Sequence, residues 1–266
     1  MEKLYTYNYY DTHAHYDDER YDSDRNEIIQ SVYSRGCKKI INIGCTLERS
    51  EKSLELSKKY DFVYYTVGIH PSDVVNTPDN YLEKLRELSG YPKCVGVGEI
   101  GLDYTVFEGE KPDKVRQERF FREQLALARE LSLPVVIHSR DAAEDTLRIL
   151  RDEMKKGEFR GVMHCYSYSA EVAKTVLALG LHISFTGVIT FKNARKTLES
   201  LSAVPIDRLL TETDCPYMSP EPERGKRNDS GKIPYIIAKM TEIYNLSPKE
   251  IADRTMENAE RLFKFM

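Results

Sequence analysis

The chain has no tryptophan, and its five cysteines, Cys37, Cys45, Cys94, Cys165 and Cys215, stand singly. None forms a CxxC pair and five cannot all pair within one chain, so a fully disulfide-bonded framework is excluded and reduced thiols are expected. No apolar run is long enough to cross a bilayer, and the opening MEKLYTYNYY has neither an apolar h-region nor a small-residue cleavage site. A cytoplasmic protein with no membrane partner is the expectation. Positive charge is not in excess either: 39 Lys and Arg face 43 Asp and Glu, a formal net charge of -4. That balance excludes a protein that coats nucleic acid with its whole surface, which needs many cationic contacts to phosphate, but it permits a local basic funnel. Internal repeats and low-complexity stretches are missing. No glycine-rich phosphate loop follows the first apolar segment, which counts against an open doubly wound sheet.

What is present is a regular alternation. Short apolar runs at 9–15, 39–45, 62–70, 94–100, 134–139, 161–166, 182–189 and 209–214 read as eight strands. Helical segments near 23–35, 48–59, 78–89, 113–131, 142–156, 170–179 and 194–202 separate them, and further helices finish the chain. In the fourth helical segment Val115, Phe120, Phe121, Leu125, Ala128 and Leu131 recur near the helical period, as a stripe against a sheet requires. Strict alternation implies parallel strands with right-handed crossovers. Eight such units in 266 residues fit an α/β fold closed into a (β/α)8 TIM-type barrel, a single domain over residues 1–266. Residues 216–231, PYMSPEPERGKRNDSG, break the pattern with Pro, Gly and charge, and after the last strand they belong at the barrel mouth as a functional loop.

Metal-seeking residues close the apolar runs. Asp11, His13 and His15 alternate along the first strand and share a face, although the two imidazoles alone read equally well as structural histidines. The other strands change the balance, because Glu99, His138, His164 and Asp214 end strands four, five, six and eight. That is the face on which barrel enzymes build their sites. His182 begins strand seven instead, belongs at the opposite end, and is read as structural. Closure sets Asp214 beside His13 and His15, while strands four to six gather Glu99 with His138 and His164. A carboxylate has two oxygens to share between the groups, so Glu99 is read as the bridge. Each ion then keeps open positions for water and substrate, and two divalent ions roughly 3.5–4 Å apart acidify a water and neutralise charge on a phosphoryl oxygen. Asp214 is assigned as the catalytic base, with Glu99 the second catalytic residue.

One layer deeper on the same faces, Asp11 and Glu212 are placed to orient imidazoles or fix a basic residue, a buried ion pair being the competing reading. Cys165 and Cys215 each follow a ligand by one residue, which on a strand turns them to the opposite face as small buried groups. At the rim His70, Arg140, Arg224, Lys226 and Arg227 supply positive charge suited to the oxygens of a scissile phosphodiester, against the plainer reading of RGKR as a solvated charged turn.

Taken in order, DTHAH at 11–15, GIHP at 68–71, VGEIGLDY at 97–104, VIHSRDA at 136–142, MHCYS at 163–167, TETDCPY at 211–217, RGKRN at 224–228 and NAERLF from Asn258 span nearly the whole chain. The set resembles the TatD family of metal-dependent deoxyribonucleases, within the amidohydrolase-like barrels. The resemblance implies a two-metal site of His13, His15, Glu99, His138, His164 and Asp214, DNA as substrate, and magnesium-dependent trimming from the 3′ end. By ligand preference the two ions are Mg²⁺, Mn²⁺ or Zn²⁺. One departure follows HCYS, where this chain reads Tyr-Ser and the family commonly has a glycine soon after the serine. Two other readings compete. A two-metal amidohydrolase or esterase acting on a small molecule would not need the basic rim, and a non-catalytic, metal-stabilised binding barrel predicts an incomplete ligand set. No obligatory protein partner is indicated, and a monomer is expected.

Overall fold

The computed structural model of the chain describes residues 7–106 and 109–265; residues 1–6, part of the stretch read for a leader segment, lie outside them. Among the described residues the expected alternation is realised as β1 (Tyr9–Ala14), α1 (Arg25–Ser34), β2 (Cys37–Asn42), α2 (Leu47–Lys59), β3 (Val63–Val67), α3 (Tyr81–Ser89), β4 (Cys94–Asp103) and α4 (Lys114–Leu131). It continues with β5 (Val135–Arg140), α5 (Ala143–Met154), β6 (Gly161–Met163), α6 (Ala170–Ala178), β7 (His182–Phe185), α7 (Arg195–Ser202), β8 (Leu209–Thr211), α8 (Ile233–Tyr244) and α9 (Pro248–Phe263). The strands are hydrogen-bonded in chain order, each parallel to the next. This is a (β/α)8 TIM barrel, as the alternation implies.

The ring closes at its carboxyl end. Thr12 Oγ1 donates to Thr211 O at 3.1 Å. Above it the amides of Asp214 and His15 donate to His13 O and Cys215 O at 2.9 and 2.8 Å. The seam between the last strand and the first is therefore sewn by the residues that carry the candidate ligands.

Layering follows the strand period. Val136 and His138 lie two apart on β5 and so share a face, the apolar residue below and the imidazole above. Ile43 and Val136 belong to a buried cluster with Ile41, Val162 and Leu210, which Leu262 and Phe263 of α9 complete. Asn258 of α9 donates to Ile206 O and Leu209 O at 2.7 Å each, which sets α9 across the amino end of β8. An apolar plug thus fills the barrel below the polar mouth.

The stripe on α4 differs from the reading in two ways. Val115 is 82% exposed, and the buried face includes Gln117 and Gln124. Both glutamines bond the backbone of strand ends: Gln124 receives Ile69 N at 2.7 Å and donates to Ile69 O at 3.1 Å, and Gln117 bonds Asp103 N and O at 2.9 Å each. A purely apolar stripe would leave those backbone groups without partners.

Strands β6 and β8 stop three residues short of the expected ends. The chain takes left-handed conformations at Cys165 (φ 46°) and Asp214 (φ 55°), which end strand geometry and turn the side chains around them toward the mouth. His182, expected at the opposite end, begins β7 and is buried.

Candidate metal centre

The six expected ligands converge. His13 Nε2 stands 3.2 Å from His15 Nε2, and both face Asp214 Oδ1, at 3.6 and 3.4 Å. Glu99 lies between two sets of imidazoles and turns one oxygen to each. Its Oε2 is 3.5 Å from His13 Nε2 and 3.8 Å from His15 Nε2, while its Oε1 is 2.8 Å from His138 Nδ1 and 2.7 Å from His164 Nε2. The strand that carries Glu99 approaches its neighbours closely. A Cβ on Gly98 (φ +156°) would meet Val136 Cβ at 2.6 Å, and a Cβ on Gly68 would meet the Gly98 carbonyl carbon at 2.8 Å, so only glycine serves at either place.

These donors fit a cation. Ring nitrogens pair at 3.2 Å (His13 with His15) and 3.3 Å (His138 with His164), while every one of the four also faces a carboxylate oxygen. One shared proton per pair cannot satisfy lone pairs that converge from three sides, whereas a divalent ion accepts them all. The electrostatics agree. Burial disfavours charge on Glu99, yet His164, His70, His13 and His138 hold its carboxyl well below the usual range. Asp214 is held low against its burial by His15, His13 and His164. Burial lowers the His13 imidazole and pushes that of His70 down to about 3, whereas against burial Asp214 raises His15, Asp103 and Glu99 raise His138, and Glu99 and Glu212 raise His164, so an ion bound here competes with protons at those three rings.

Three outer groups buttress the imidazoles, and sequence reading found only one of them. Glu212 Oε1 stands 3.5 Å from His164 Nδ1, and the carboxylate is fixed by the Cys165 amide and the Ser184 hydroxyl, each at 2.7 Å. Asp103 was missed. Its Oδ2 is 3.1 Å from His138 Nε2, because β4 continues past Ile100 and alternation carries Glu99, Gly101 and Asp103 along one face. Cys45 was missed as well, its sulfur lying 3.5 Å from Glu99 Oε2 and 3.8 Å from His15 Nδ1.

Asp11 corrects an expectation. Among the described residues it bonds no imidazole ring and no basic side chain. Its Oδ1 accepts from the His13 and Thr213 amides at 3.3 and 3.0 Å, and its Oδ2 accepts from Thr213 Oγ1 at 2.6 Å. Burial pushes this carboxyl up to about 7 against those bonds. It ties β1 to the turn that bears Asp214. Cys215 is fully buried as expected, but Cys165 is not, because it lies beyond the end of β6 where strand alternation no longer applies; its side chain borders the mouth cavity.

That cavity holds about 500 Å³, and His70, Arg140, Tyr217 and Met218 line it together with His15, Glu99, His138, His164 and Asp214, while His13 lies buried beneath. His70 Nε2 is 3.5 Å from Glu99 Oε1, and among the described residues Arg140 makes no ion pair. Arg49, missed in the sequence, also reaches the wall while bound to Asp17 at 2.5 Å. The loop cations expected at the rim do not line it. Lys226 pairs with Glu223 at 2.8 Å, Arg227 binds both oxygens of Asp24 at 2.9 and 2.5 Å, and Arg224 stacks 4.3 Å over the Phe191 ring. Local carboxylates and a ring satisfy them where they stand. A larger groove of about 790 Å³ runs along Asp22, Glu27, Glu48 and Glu55, but its lining carries no histidine. The chemistry is at the mouth.

Comparison with known proteins agrees with this geometry. Residues 10–264 match a family described as TatD related DNase. The chain is 41% identical to a Bacillus subtilis protein named as an uncharacterized metal-dependent hydrolase, YabD, over 96% of this chain and 98% of that one. It is 33% identical to a 3′-5′ ssDNA/RNA exonuclease, TatD, of Cronobacter sakazakii, over 92% and 93% of the two chains. The crystal structure of YJJV, a TatD homolog from Escherichia coli, superposes with a TM-score of 0.90 at 31% identity, covering 97% of this chain and 98% of that one.

Proposed function

The chain belongs to the family of TatD related DNases, metal-dependent hydrolases acting on ester bonds, and from that premise we propose that it hydrolyses phosphodiester bonds of DNA as a 3′-5′ exonuclease using two divalent ions. The observation that carries the reading is the division of Glu99, one oxygen toward His138 and His164 and the other toward His13 and His15 with Asp214 alongside. His13, His15 and Asp214 would hold one ion, His138 and His164 the other, and Glu99 both. Bound there, such ions supply Lewis acidity that acidifies water and neutralises charge on a phosphoryl oxygen.

The residues of the chain do the rest. Asp214 accepts the proton of the attacking water as its oxygen bonds to phosphorus. The bond from phosphorus to the leaving sugar oxygen breaks, that oxygen takes a proton from solvent water, and Asp214 returns the proton it accepted to solvent. Arg140 and neutral His70 donate to the non-bridging oxygens from the cavity wall, a site that planar guanidinium suits well. With Arg224, Lys226 and Arg227 engaged elsewhere, cationic recognition is concentrated on Arg140 and narrower than the loop sequence alone implies. The decisive experiment is metal analysis of the purified protein together with a time course on end-labelled DNA in Mg²⁺, Mn²⁺, Zn²⁺ and chelator. Stepwise shortening from the 3′ end that stops on chelation is expected, and chelator-resistant cleavage refutes the reading.

A further inference from the structure

Directly after Asp214, the loop that follows β8 presents an aromatic ring to the mouth. Tyr217 is 41% exposed, lines the same cavity as the ligands, and has its ring centroid 6.4 Å from that of His15. An exposed tyrosine on a loose turn would mean little, but this one is held through its backbone, its hydroxyl and one cation over the ring. Its amide donates to Asp214 O at 2.9 Å, and its carbonyl accepts from Asn228 Nδ2 at 2.6 Å. The Arg20 guanidinium lies 4.1 Å over the ring centroid, fixed there by Asp18 through bonds of 2.8 and 3.0 Å, and the tyrosine hydroxyl reaches Asp18 at 3.4 Å. Met218, 42% exposed, extends the apolar border.

Resting on the nuclease reading above, we propose that Tyr217 is a stacking platform for the nucleobase of the nucleotide at the scissile phosphate. A ring held by a cation on one face and left open toward the cavity is ready to take a second planar group at little further cost in entropy. Every base has such a face, so the platform selects nucleotides over small esters without selecting a sequence. The ring stands beside His15, within reach of the base of a nucleotide whose phosphate sits at the ligands.

The test compares oligonucleotides that end in a normal nucleotide or in an abasic one. With metal-loaded enzyme, Tyr217→Ala and Tyr217→Leu should lose roughly five- to a hundredfold in kcat/KM on the normal end and far less on the abasic end, whereas Tyr217→Phe keeps the preference. Independently of turnover, a terminal 2-aminopurine on an oligonucleotide with a phosphorothioate last linkage should be quenched by wild type and Tyr217→Phe but not by Tyr217→Leu. Equal losses on both ends, no loss on either, or quenching retained in Tyr217→Leu would overturn the proposal. A wild-type enzyme that cleaves a small ester but neither oligonucleotide fails at the earlier step. That result overturns the nuclease reading, and the platform with it, before any variant is made.

Discussion

His138 enters the centre with both ring nitrogens engaged, Nδ1 toward Glu99 and Nε2 toward Asp103. A ring that offers Nδ1 to a cation must carry its proton on Nε2, and a carboxylate accepting that proton fixes the tautomer and strengthens the donor. Asp103→Asn keeps the shape and removes the charge. About a ten- to hundredfold loss in metal affinity or kcat is expected, read by metal content after dialysis and by turnover, with the thermal transition of the chelated protein little changed. Unaltered metal content and turnover would reduce Asp103 to a rim carboxylate. His182, at the other end of the barrel, makes a different prediction. Burial first, then Arg208 and Arg261, push its imidazole down from 6.5 to about 4. Between those values the unfolded chain binds a proton that the folded chain refuses, so this stabilisation is complete above pH 6.5 and is lost as pH falls toward 4. It amounts to at most about 3 kcal/mol. In chelator, denaturant titrations of His182→Gln should show a flatter fall of stability across that window than wild type, and parallel curves would remove His182 from the acid response.

At the scale of elements, sequence reading succeeded where a rule of period applies and lost ground where the chain departs from one. Eight strand-helix alternations were legible because apolar runs and amphipathic segments differ in period. The convergence of His13, His15, Glu99, His138, His164 and Asp214 was legible because they cap those runs. Asp103 was not, since Gly101 interrupts the apolar pattern of β4 two residues earlier, and Cys165 was misplaced because a left-handed turn follows His164. The basic loop misled for another reason. A charge run shows in one dimension, whereas the Asp24 that binds Arg227 lies 203 residues away. Capping, being local, is predictable in both directions. In α9 the Ser247 hydroxyl accepts from Glu250 N and the Glu250 carboxylate accepts from Ser247 N, with Pro248 at the first helical position. Because α9 seals the barrel floor, Ser247→Ala should cost about 0.5–2 kcal/mol of global stability rather than fray one helix. Denaturant unfolding followed by circular dichroism measures this, and an unchanged midpoint would show that α9 docks independently of its cap.

Across the whole molecule, fold and site are coupled through the seam. The bonds that close β8 onto β1 involve His13, His15 and Asp214, and Glu99 sits on β4 across the mouth, so a cation that gathers these groups binds the folded barrel and not the unfolded chain. Linkage then makes stability a count of ions. Above its dissociation constant, each ion bound only by the folded state adds about 1.4 kcal/mol for every tenfold rise in free metal, and two ions add twice that. At a hundred times the dissociation constant a single ion contributes about 2.7 kcal/mol, which for a chain of this size raises the thermal midpoint by roughly 5–10 °C over the chelated protein. Unfolding free energy measured at a series of buffered metal concentrations should therefore climb with the slope for two ions in wild type. It should fall to the slope for one ion when His13 and His15 are both replaced by alanine, since Glu99, His138 and His164 still hold the second position. A wild-type slope for one ion would leave Glu99 a ligand but not a bridge, and no dependence on metal at all would mean that the seam is closed by protein alone.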